Sequence, residues 1–258
     1  MTGAPASPFT SRGLLADKRV VVTAAAGTGI GFATARRCME EGAQVVLSDR
    51  HEARLAEYAD RLSKDSGRPV LQQLCDVTDQ GDVDRLFDRA ERELGGIDVL
   101  VNNAGLGGTV PIAEMQDDEW QRVLDVTLTG TFRCLRRALQ SMGSGASIVN
   151  VGSVVAWRAE VGQGHYSAAK AGVLALTRVA ALEAAPRGVR VNAVVPTLAM
   201  HENLARVSSV EHLDRVAAAT PFGRPAQPRE IANVVVFLAS DLSSYMTGES
   251  VSVSAQHP

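Results

Sequence analysis

Three side chains with acid–base or hydrogen-bonding chemistry are Ser153, Tyr166 thirteen residues later and Lys170 seventeen residues later. A helix places residues four positions apart on the same face, so the Tyr166 phenol and the Lys170 ammonium should face one site. An ordinary phenol has a pKa near 10, and a nearby cation favours its ionised form. The spacing therefore predicts a site in which Tyr166 gives or takes a proton beside a hydroxyl. Taken singly, Ser153 could be a small turn residue and Lys170 a solvated lysine.

The composition limits which classes of protein this chain could be. Its 258 residues are 45% hydrophobic and 21% charged, which suits one large packed domain. The net charge of −3 provides no basic field for nucleic acid, and no apolar window is long enough to cross a membrane. The three cysteines lack metal-ligand or disulfide spacing, so we expect no metal site and a reducing cytoplasm. Residues 1–13 predict a flexible tail ahead of a single domain over 14–258.

Short apolar runs alternate with longer stretches of helical periodicity, and this alternation predicts the fold. It indicates parallel strands that are buried on both faces and joined by right-handed helical crossovers. We expect an α/β fold, a single doubly wound Rossmann domain with a mostly parallel seven-stranded sheet flanked by helices. Ligands should bind at the carboxyl ends of the strands. The predicted strands are 19–23, 44–48, 69–74, 97–101, 147–151, 189–195 and 250–253, and the predicted helices include 32–41, 83–94 and 120–142.

Two further segments predict how the domain meets its substrate and other subunits. The stretch of about 198–220 interrupts the alternation beyond a strand's carboxyl end, and its apolar residues indicate a substrate lid. The helix of about 167–185 is apolar on nearly every face, which predicts burial against another copy of the chain. We expect a homo-oligomer, either a dimer or a homotetramer, with closed symmetry.

A glycine-rich turn follows the first predicted strand and opens the first predicted helix. It contains Gly27, Thr28 and Gly29 and leads into Ile30. Glycine lets the backbone approach a pyrophosphate closely, and the N-terminus of a helix offers unpaired N–H groups to it. The position of the turn predicts a dinucleotide cofactor, so hydride transfer would accompany the proton transfer expected at Tyr166.

The second predicted strand runs into Asp49 and Arg50. An aspartate at this place accepts hydrogen bonds from the adenosine ribose and repels a 2′-phosphate, which favours NAD. Arg50 argues in the other direction, because a guanidinium beside the ribose suits the 2′-phosphate of NADP. Asp49 could also be an ordinary turn residue. The pair favours NAD as the cofactor and leaves NADP open.

Two more predicted strands end in residues that could contact the nucleotide. Asp76 and Val77 follow the third strand, and Asn103, Ala104 and Gly105 follow the fourth. Asp, Asn and Gly are also common in ordinary loops. Both groups nevertheless lie at carboxyl ends in the half of the sheet that holds the glycine turn. This agreement predicts contacts with the adenine and the ribose.

The motifs of this chain occur in a fixed order: the glycine turn, Asp76-Val77, Asn102-Asn103-Ala104-Gly105, Ser153, Tyr166-x-x-x-Lys170 and Arg190-Val-Asn192-Ala-Val-Val-Pro196. This set resembles the classical short-chain dehydrogenase/reductase family, and particularly its 3-oxoacyl-thioester reductases, from about residue 18 to the C-terminus. The resemblance implies that Tyr166 is the catalytic acid/base and that Ser153 binds the substrate oxygen. It implies that Lys170 favours the phenolate and holds the nicotinamide ribose. Tyr166, Lys170, Pro196 and Thr197 then also belong to the cofactor site.

The glycine turn departs from the family pattern. When Gly29-Ile-Gly31 is taken as the end of the family turn, Ala24 and Ala25 stand where its threonine and its first glycine belong. The turn is then one residue longer than usual, and Gly27 could replace the missing glycine.

Three other places also depart from the family. Thr127 stands where the family usually has an asparagine that supports a water leading to the lysine, and we include Thr127 in the catalytic set because threonine can still donate and accept a hydrogen bond. After Pro196, Thr197 and His201 replace a glycine and a threonine, and the tail reads Val253-Ser-Ala-Gln256. These departures predict a distinct subgroup with its own lid.

The resemblance implies an NAD(P)-dependent oxidoreductase that interconverts a secondary alcohol and a ketone by hydride transfer. The apolar lid predicts a largely apolar small-molecule substrate, such as a 3-oxoacyl or 3-hydroxyacyl thioester or a steroid-derived thioester. The alternative is a nucleotide-binding regulatory protein with the same fold and little turnover. Thr127 and the other departures favour that alternative, and the intact Ser153, Tyr166 and Lys170 oppose it.

Several side chains between Ser153 and Tyr166 should face the substrate cleft or its rim. Trp157 could instead pack in the core, and His165 could be a structural hydrogen-bonding residue. Arg158 could meet an anionic group of the substrate. The expected cleft residues are Trp157, Arg158, Glu160, Gln163 and His165.

Overall fold

The computed structural model describes residues 12–200, 218 and 220–255, and a seven-stranded sheet lies at its centre. The strand order is β3-β2-β1-β4-β5-β6-β7, and every pair of neighbours is parallel. This confirms the predicted doubly wound α/β fold, with a sheet that is parallel throughout. Since all the strands run in one direction, their carboxyl ends share one edge. The strands are β1 (Arg19–Val22), β2 (Gln44–Asp49), β3 (Leu71–Leu74), β4 (Val99–Asn102), β5 (Ser147–Val151), β6 (Arg190–Pro196) and β7 (Ser250–Val253).

Helices connect the strands and cover both faces of the sheet. Within the described residues they are α1 (Ile30–Glu40), α2 (Glu52–Ser66), α3 (Gln80–Leu94), α4 (Asp117–Leu124), α5 (Gly130–Ser141), α6 (Gly164–Ala184) and α7 (Pro228–Ala239). The predicted helix over 120–142 is present as one helical stretch that runs through α4 and α5, and Asp125–Thr129 form a π-helical turn within it. The apolar pattern did not single out α2, of which only Leu55, Ala59 and Leu62 are buried.

The strands divide their side chains between two apolar layers. Val20 and Val22 of β1 pack into the layer that contains α1 and α7, whereas Val21 packs into the layer that contains α3 and α5. A fully buried valine or leucine contributes about 1.5–3 kcal/mol relative to an exposed one. Coverage on both faces explains why the strands read as continuous apolar runs rather than alternating ones. The two layers hold the carboxyl edge of the sheet in place.

The apolar helix α6 is buried along one side only within this chain. Ala180 and Ala184 belong to the core, but Val179 is 54% exposed and Leu182 is 78% exposed. The homo-oligomer therefore stays a prediction. In such an assembly, a second copy of the chain would cover these exposed apolar side chains. No helix in the described part of the chain is long and apolar enough to cross a membrane.

Most of the predicted tail and lid lies outside the described residues. Of the tail, Arg12 and Gly13 are described, and the Arg12 N–H donates a hydrogen bond of 3.0 Å to the Glu41 carboxylate. Of the lid, positions 198–200, 218 and 220 are described. The N–H of Met200 donates a hydrogen bond of 2.8 Å to the carbonyl of Ala226. His201 also lies outside the described residues.

Candidate active site

The carboxyl end of β5 and the start of α6 bring the three predicted acid–base residues together. Ser153 lies just beyond β5, and its hydroxyl hydrogen-bonds the Tyr166 phenol. Lys170 lies one helical turn beyond Tyr166, with its Nζ 5.6 Å from the centre of the Tyr166 ring. The Lys170 ammonium also donates a hydrogen bond of 2.7 Å to the Val151 carbonyl. The spacing in the sequence thus corresponds to a cluster in space.

Burial changes the proton affinities of Tyr166 and Lys170 in opposite directions. It raises the pKa of Tyr166 above its usual value, and the hydrogen bond with Ser153 opposes that rise. It lowers the pKa of Lys170 from 10.5 to about 8. Desolvation disfavours the charged form of each group. Tyr166 is consequently a protonated phenol near neutral pH, which is the form that can donate a proton.

A loop after β4 crosses directly over Tyr166 and Lys170. A Cβ added at Gly105 would lie 3.3 Å from Lys170 Nζ, and one added at Gly107 would lie 3.7 Å from the Tyr166 ring. The backbone of this loop therefore forms one wall of the site. Gly105, which we expected beside the nucleotide, lies next to the lysine.

The Thr127 hydroxyl anchors this loop through hydrogen bonds to its backbone. Its hydroxyl accepts a hydrogen bond of 2.9 Å from the Leu106 N–H and donates one of 3.0 Å to the Leu106 carbonyl. Thr127 is fully buried in the π-helical turn, and its own carbonyl accepts a hydrogen bond of 2.8 Å from the Thr131 hydroxyl. The threonine is therefore placed to support the loop that covers the acid–base residues.

The turn between β1 and α1 leaves open space above two of its glycines. A Cβ added at Gly27 or Gly29 would meet nothing within 4 Å, whereas one added at Gly31 would lie 2.5 Å from Asn103 Nδ2. Thr28 lies between the two open glycines, and α1 begins at Ile30. The first N–H groups of a helix have no partner within the helix, and an anion can bind them. The open space leaves the backbone of the turn and the start of α1 accessible to an anion.

In the longer turn between β1 and α1, the strained backbone conformation lies at Ala24 and not at a glycine. Ala24 adopts a φ of 49°, a left-handed conformation that costs a residue with a Cβ about 1–2 kcal/mol, and Gly27 adopts a φ of 150°. The Thr23 hydroxyl accepts hydrogen bonds of 3.0 and 3.1 Å from the N–H groups of Asn103 and Ala104. The Asn103 side chain donates bonds of 3.0 and 2.9 Å to the carbonyls of Thr23 and Ala24. Asn103 and Ala104 therefore join the ends of β1 and β4.

Asp49 ends β2 at the same edge. Its carboxylate accepts hydrogen bonds from the N–H groups of Ala26 and His51, at 3.2 and 3.0 Å, and Arg54 Nη2 lies 3.0 Å away. Arg50 is exposed, and its Nε lies 3.4 Å from His51 Nε2. The arginine that pairs with Asp49 is thus Arg54, which the sequence reasoning missed. One signal was available, because a basic residue in the first turn of α2 opposes the helix dipole and favours an acidic partner.

Asp76 and Val77 follow β3 and make contacts within the protein. The Asp76 carboxylate accepts hydrogen bonds of 2.9 and 2.8 Å from the N–H and hydroxyl groups of Thr78. Burial by itself would raise the pKa of Asp76, but these bonds outweigh it and hold the pKa below its usual value. Val77 is buried, and a Cβ added at Gly130 would lie 2.6 Å from its Cγ2. Val77 therefore packs against the start of α5.

Pro196 and Thr197 lie on the far side of the acid–base residues. Pro196 is the last residue of β6 and is buried. The Thr197 N–H donates a hydrogen bond of 3.2 Å to the Val253 carbonyl. These residues continue the carboxyl edge of the sheet beyond Ser153.

A cleft of about 530 Å³ opens beside the start of α6. Its volume lies within the range of about 300–1,000 Å³ that is typical of small-molecule sites. Trp157, Arg158 and Glu160 line it, as predicted, whereas Gln163 is not among its lining residues and His165 is fully buried. Most of the lining is apolar. The lining residues are Pro111, Ile112, Val155, Ala156, Trp157, Arg158, Ala159, Glu160, Val161, Gly162, Gly164 and Ser167.

The residues along this edge fit a dinucleotide. Asp49, the glycine turn, the loop after β4 and Ser153 follow four neighbouring strands in the order β2, β1, β4 and β5. Three steps of about 4.8 Å place roughly 14 Å between the first strand and the last. The edge offers a carboxylate for ribose hydroxyls, a helix N-terminus for a pyrophosphate and an acid–base cluster at the other end.

Comparison with known proteins finds relatives that are named as reductases or dehydrogenases. A family model described as Enoyl-(Acyl carrier protein) reductase matches residues 24–255. The chain is 57% identical to (5R,7aS)-5-hydroxy-7a-methyl-1-oxo-2,3,5,6,7,7a-hexahydro-1H-indene-carboxyl-CoA reductase from Mycobacterium tuberculosis, over 97% of each chain. It is 42% identical to cis-4-hydroxycyclohexanecarboxylate dehydrogenase from Sinomonas cyclohexanicum, over 92% of this chain and 95% of that protein. A crystal structure of a short chain dehydrogenase from Mycobacterium smegmatis is 49% identical, covers 98% of each chain and superposes with a TM-score of 0.86.

Proposed function

Because this chain belongs to the short-chain dehydrogenase/reductase family of oxidoreductases, we propose that it interconverts a ring-borne secondary alcohol and its ketone on an apolar carboxyl-CoA thioester. The observation that carries the proposal is the cluster of Ser153, Tyr166 and Lys170 beside an apolar cleft. The names of two relatives support the substrate class, since both describe an oxygen-bearing ring with a carboxyl or carboxyl-CoA group.

The cleft supports an apolar ring substrate with an anionic extension. Ile112, Trp157 and Val161 present large apolar side chains to it and are themselves exposed. Burying such surface against a hydrocarbon ring stabilises the complex by about 25 cal/mol per Å². Arg158 is exposed in the same lining and offers a guanidinium to the phosphates of a CoA group.

In the reducing direction, the ketone oxygen lies against the hydroxyls of Ser153 and Tyr166. A nicotinamide nucleotide, when bound, supplies the hydride to the carbonyl carbon. Tyr166 donates its proton to the oxygen as negative charge develops there, and the product is the secondary alcohol. The raised pKa of Tyr166 keeps the phenol protonated for this step. In the oxidising direction, the tyrosinate takes the proton back from the alcohol.

Lys170 stabilises the tyrosinate that remains after proton transfer. With a pKa of about 8, most of its ammonium stays charged at neutral pH. A cation at this range favours the anionic form of the phenol. The bond to the Val151 carbonyl holds the ammonium in place. Thr127 contributes indirectly, since it anchors Leu106 in the loop over Tyr166 and Lys170.

NAD is the nucleotide that the end of β2 favours. The Asp49 carboxylate places negative charge where NADP carries its 2′-phosphate, and Arg54 already pairs with that carboxylate. We expect tighter binding of NADH than of NADPH by fluorescence titration. Asp49→Asn should reduce the preference because it removes the charge and keeps the shape. An unchanged NADH to NADPH affinity ratio would contradict this assignment, and Asp76→Asn serves as the control.

The assembly and the cellular compartment complete the proposal. Val179 and Leu182 of α6, together with Phe132 of α5, expose apolar surface that a second copy of the chain could cover. We therefore expect a homo-oligomer, a dimer or a tetramer, in light scattering. The described cysteines are free and buried, which suits a reducing compartment such as the cytoplasm.

Turnover measurements test the proposed reaction. Absorbance of NADH should report turnover on a bicyclic keto carboxyl-CoA thioester, with the free acid and a straight-chain 3-oxoacyl-CoA as comparisons. Tyr166→Phe should lower kcat by about 10²–10⁴-fold, because general acid catalysis is lost. NADH binding should stay within about twofold. Tyr245→Phe, at a fully exposed tyrosine, is the matched control. Equal turnover by the two variants would refute the proposal.

A further inference from the structure

His165, which precedes Tyr166, is a buried histidine with one unsatisfied ring nitrogen. Its side chain has no exposed surface. Nδ1 accepts a hydrogen bond of 2.9 Å from the Tyr166 backbone N–H. A neutral imidazole that accepts at Nδ1 carries its proton on Nε2. Within the described part of the chain, Nε2 has no hydrogen-bond partner, and an unsatisfied buried donor is costly.

A carboxylate on the neighbouring helix lies just beyond hydrogen-bonding distance of this donor. Glu119 of α4 places its Oε1 3.8 Å from His165 Nε2, and its side chain is 31% exposed, so it has room to move. A Cβ added at Gly108 would lie 3.0 Å from His165 Nε2 and 3.5 Å from Glu119 Oε1. Glu119 and His165 therefore approach each other beside Gly108. The residue before it in the same loop, Gly107, lies next to the Tyr166 ring.

We propose that Glu119 and His165 form a carboxylate–imidazole pair that positions Tyr166 in the reaction proposed above. The pair acts on Tyr166 along two routes. The first is the backbone hydrogen bond to Nδ1, and the second is the contact of the loop with the phenol ring. Neither residue touches the reacting atoms, so both are positioning residues. The inference rests on the proposed function, because it assigns the phenol as the acid.

Two variants of Glu119 distinguish a positioning role from simple packing, because only one of them keeps a hydrogen-bond acceptor. Glu119→Gln keeps an acceptor for Nε2 and should retain kcat within about twofold. Glu119→Met keeps the length and loses the acceptor, so kcat should fall roughly tenfold or more, since small displacements at a reacting group are costly. KM for the nucleotide should be unchanged in both. Gln121→Met, at an exposed position on the same helix, is the control and should behave as the wild type.

A double-mutant cycle tests whether the two residues act together. In His165→Asn the side-chain oxygen can still accept the Tyr166 N–H, but the shorter amide has no donor at the position of the ring Nε2 that faces Glu119. The double variant with Glu119→Met should be no slower than the slower single variant, because both changes break one contact. Losses that multiply, or wild-type kcat in a folded Glu119→Met, would overturn the proposal. Equal losses in Glu119→Gln and Glu119→Met would also overturn it.

Nitrogen NMR of isotopically labelled histidine provides a readout that needs no turnover. The His165 signals, assigned with His165→Asn, should show a proton on Nε2. The Nε2 signal should shift in Glu119→Met and stay in place in Gln121→Met. An unchanged signal in Glu119→Met would exclude the pair even if turnover is never found. Absence of turnover in the wild type, with the expected shift present, would count against the proposed function alone.

Discussion

Replacing Lys170 with methionine should change how the stability of this protein depends on pH. Lys170 is buried, and this burial lowers its pKa from 10.5 to about 8. Below pH 8 the lysine is charged in both the folded and the unfolded chain, and the folded chain bears the cost of a buried charge. Above pH 10.5 it is neutral in both states and that cost is absent. Methionine has similar length and does not titrate.

The size of the effect follows from the two pKa values. One pKa unit corresponds to about 1.4 kcal/mol, so the difference between 10.5 and about 8 amounts to roughly 3 kcal/mol. Between pH 7 and pH 9.5, the wild type should gain about 2 kcal/mol of unfolding free energy relative to Lys170→Met. The Val151 carbonyl loses its partner in the variant, but this loss is the same at every pH.

Urea unfolding at a series of pH values and one protein concentration measures this difference. Subtracting the variant from the wild type removes the contribution of all other titrating groups. Lys64→Met, at an exposed lysine, is the control and should show no such trend. A difference between wild type and Lys170→Met that stays constant from pH 7 to pH 9.5 would refute the reasoning that Lys170 carries a buried charge.

Two further predictions concern the loops around the site. Thr127→Val removes the hydroxyl that bonds both backbone groups of Leu106, and it should lower the free energy of unfolding by about 1–3 kcal/mol in urea and reduce kcat. Gly31→Ala should lower the melting temperature and weaken NADH binding, because its Cβ would lie 2.5 Å from Asn103 Nδ2 and 2.7 Å from the Ala24 carbonyl; overpacking of this kind costs about 1–3 kcal/mol.

Each of these predictions has a matched control. Thr127→Ser retains the hydroxyl and should keep most of the stability, and a serine variant that loses as much stability as the valine variant would contradict the assignment of the loss to the hydroxyl. Gly29→Ala meets open space and should leave the melting temperature nearly unchanged. Equal melting temperatures for Gly29→Ala and Gly31→Ala would contradict the packing argument.

Much of the fold could be predicted from local patterns. Each of the seven predicted strands begins and ends within two residues of its observed bounds, because runs of buried apolar residues are a property of a few neighbouring positions. The π-helical turn inside the helix over 120–142 could not be predicted in this way. The apolar periodicity of that helix continues through the π-helical turn at Asp125–Thr129, where Thr127 bonds to Leu106 of a different segment. A contact across the chain thus accompanies a local change in helix geometry.

The sequence by itself determines which chemical groups the site contains and on which element each lies. Tyr166 and Lys170 share a helix face because of the pitch of the helix, and Ser153 comes beside them because β5 and α6 are consecutive. Only the tertiary structure decides which donor meets which acceptor across distant segments. Glu119 lies on a different helix from His165, and their approach depends on how α4 packs against α6 over the loop at Gly108. No local pattern encodes that packing, since it depends on the side chains of both helices and on the loop between them together.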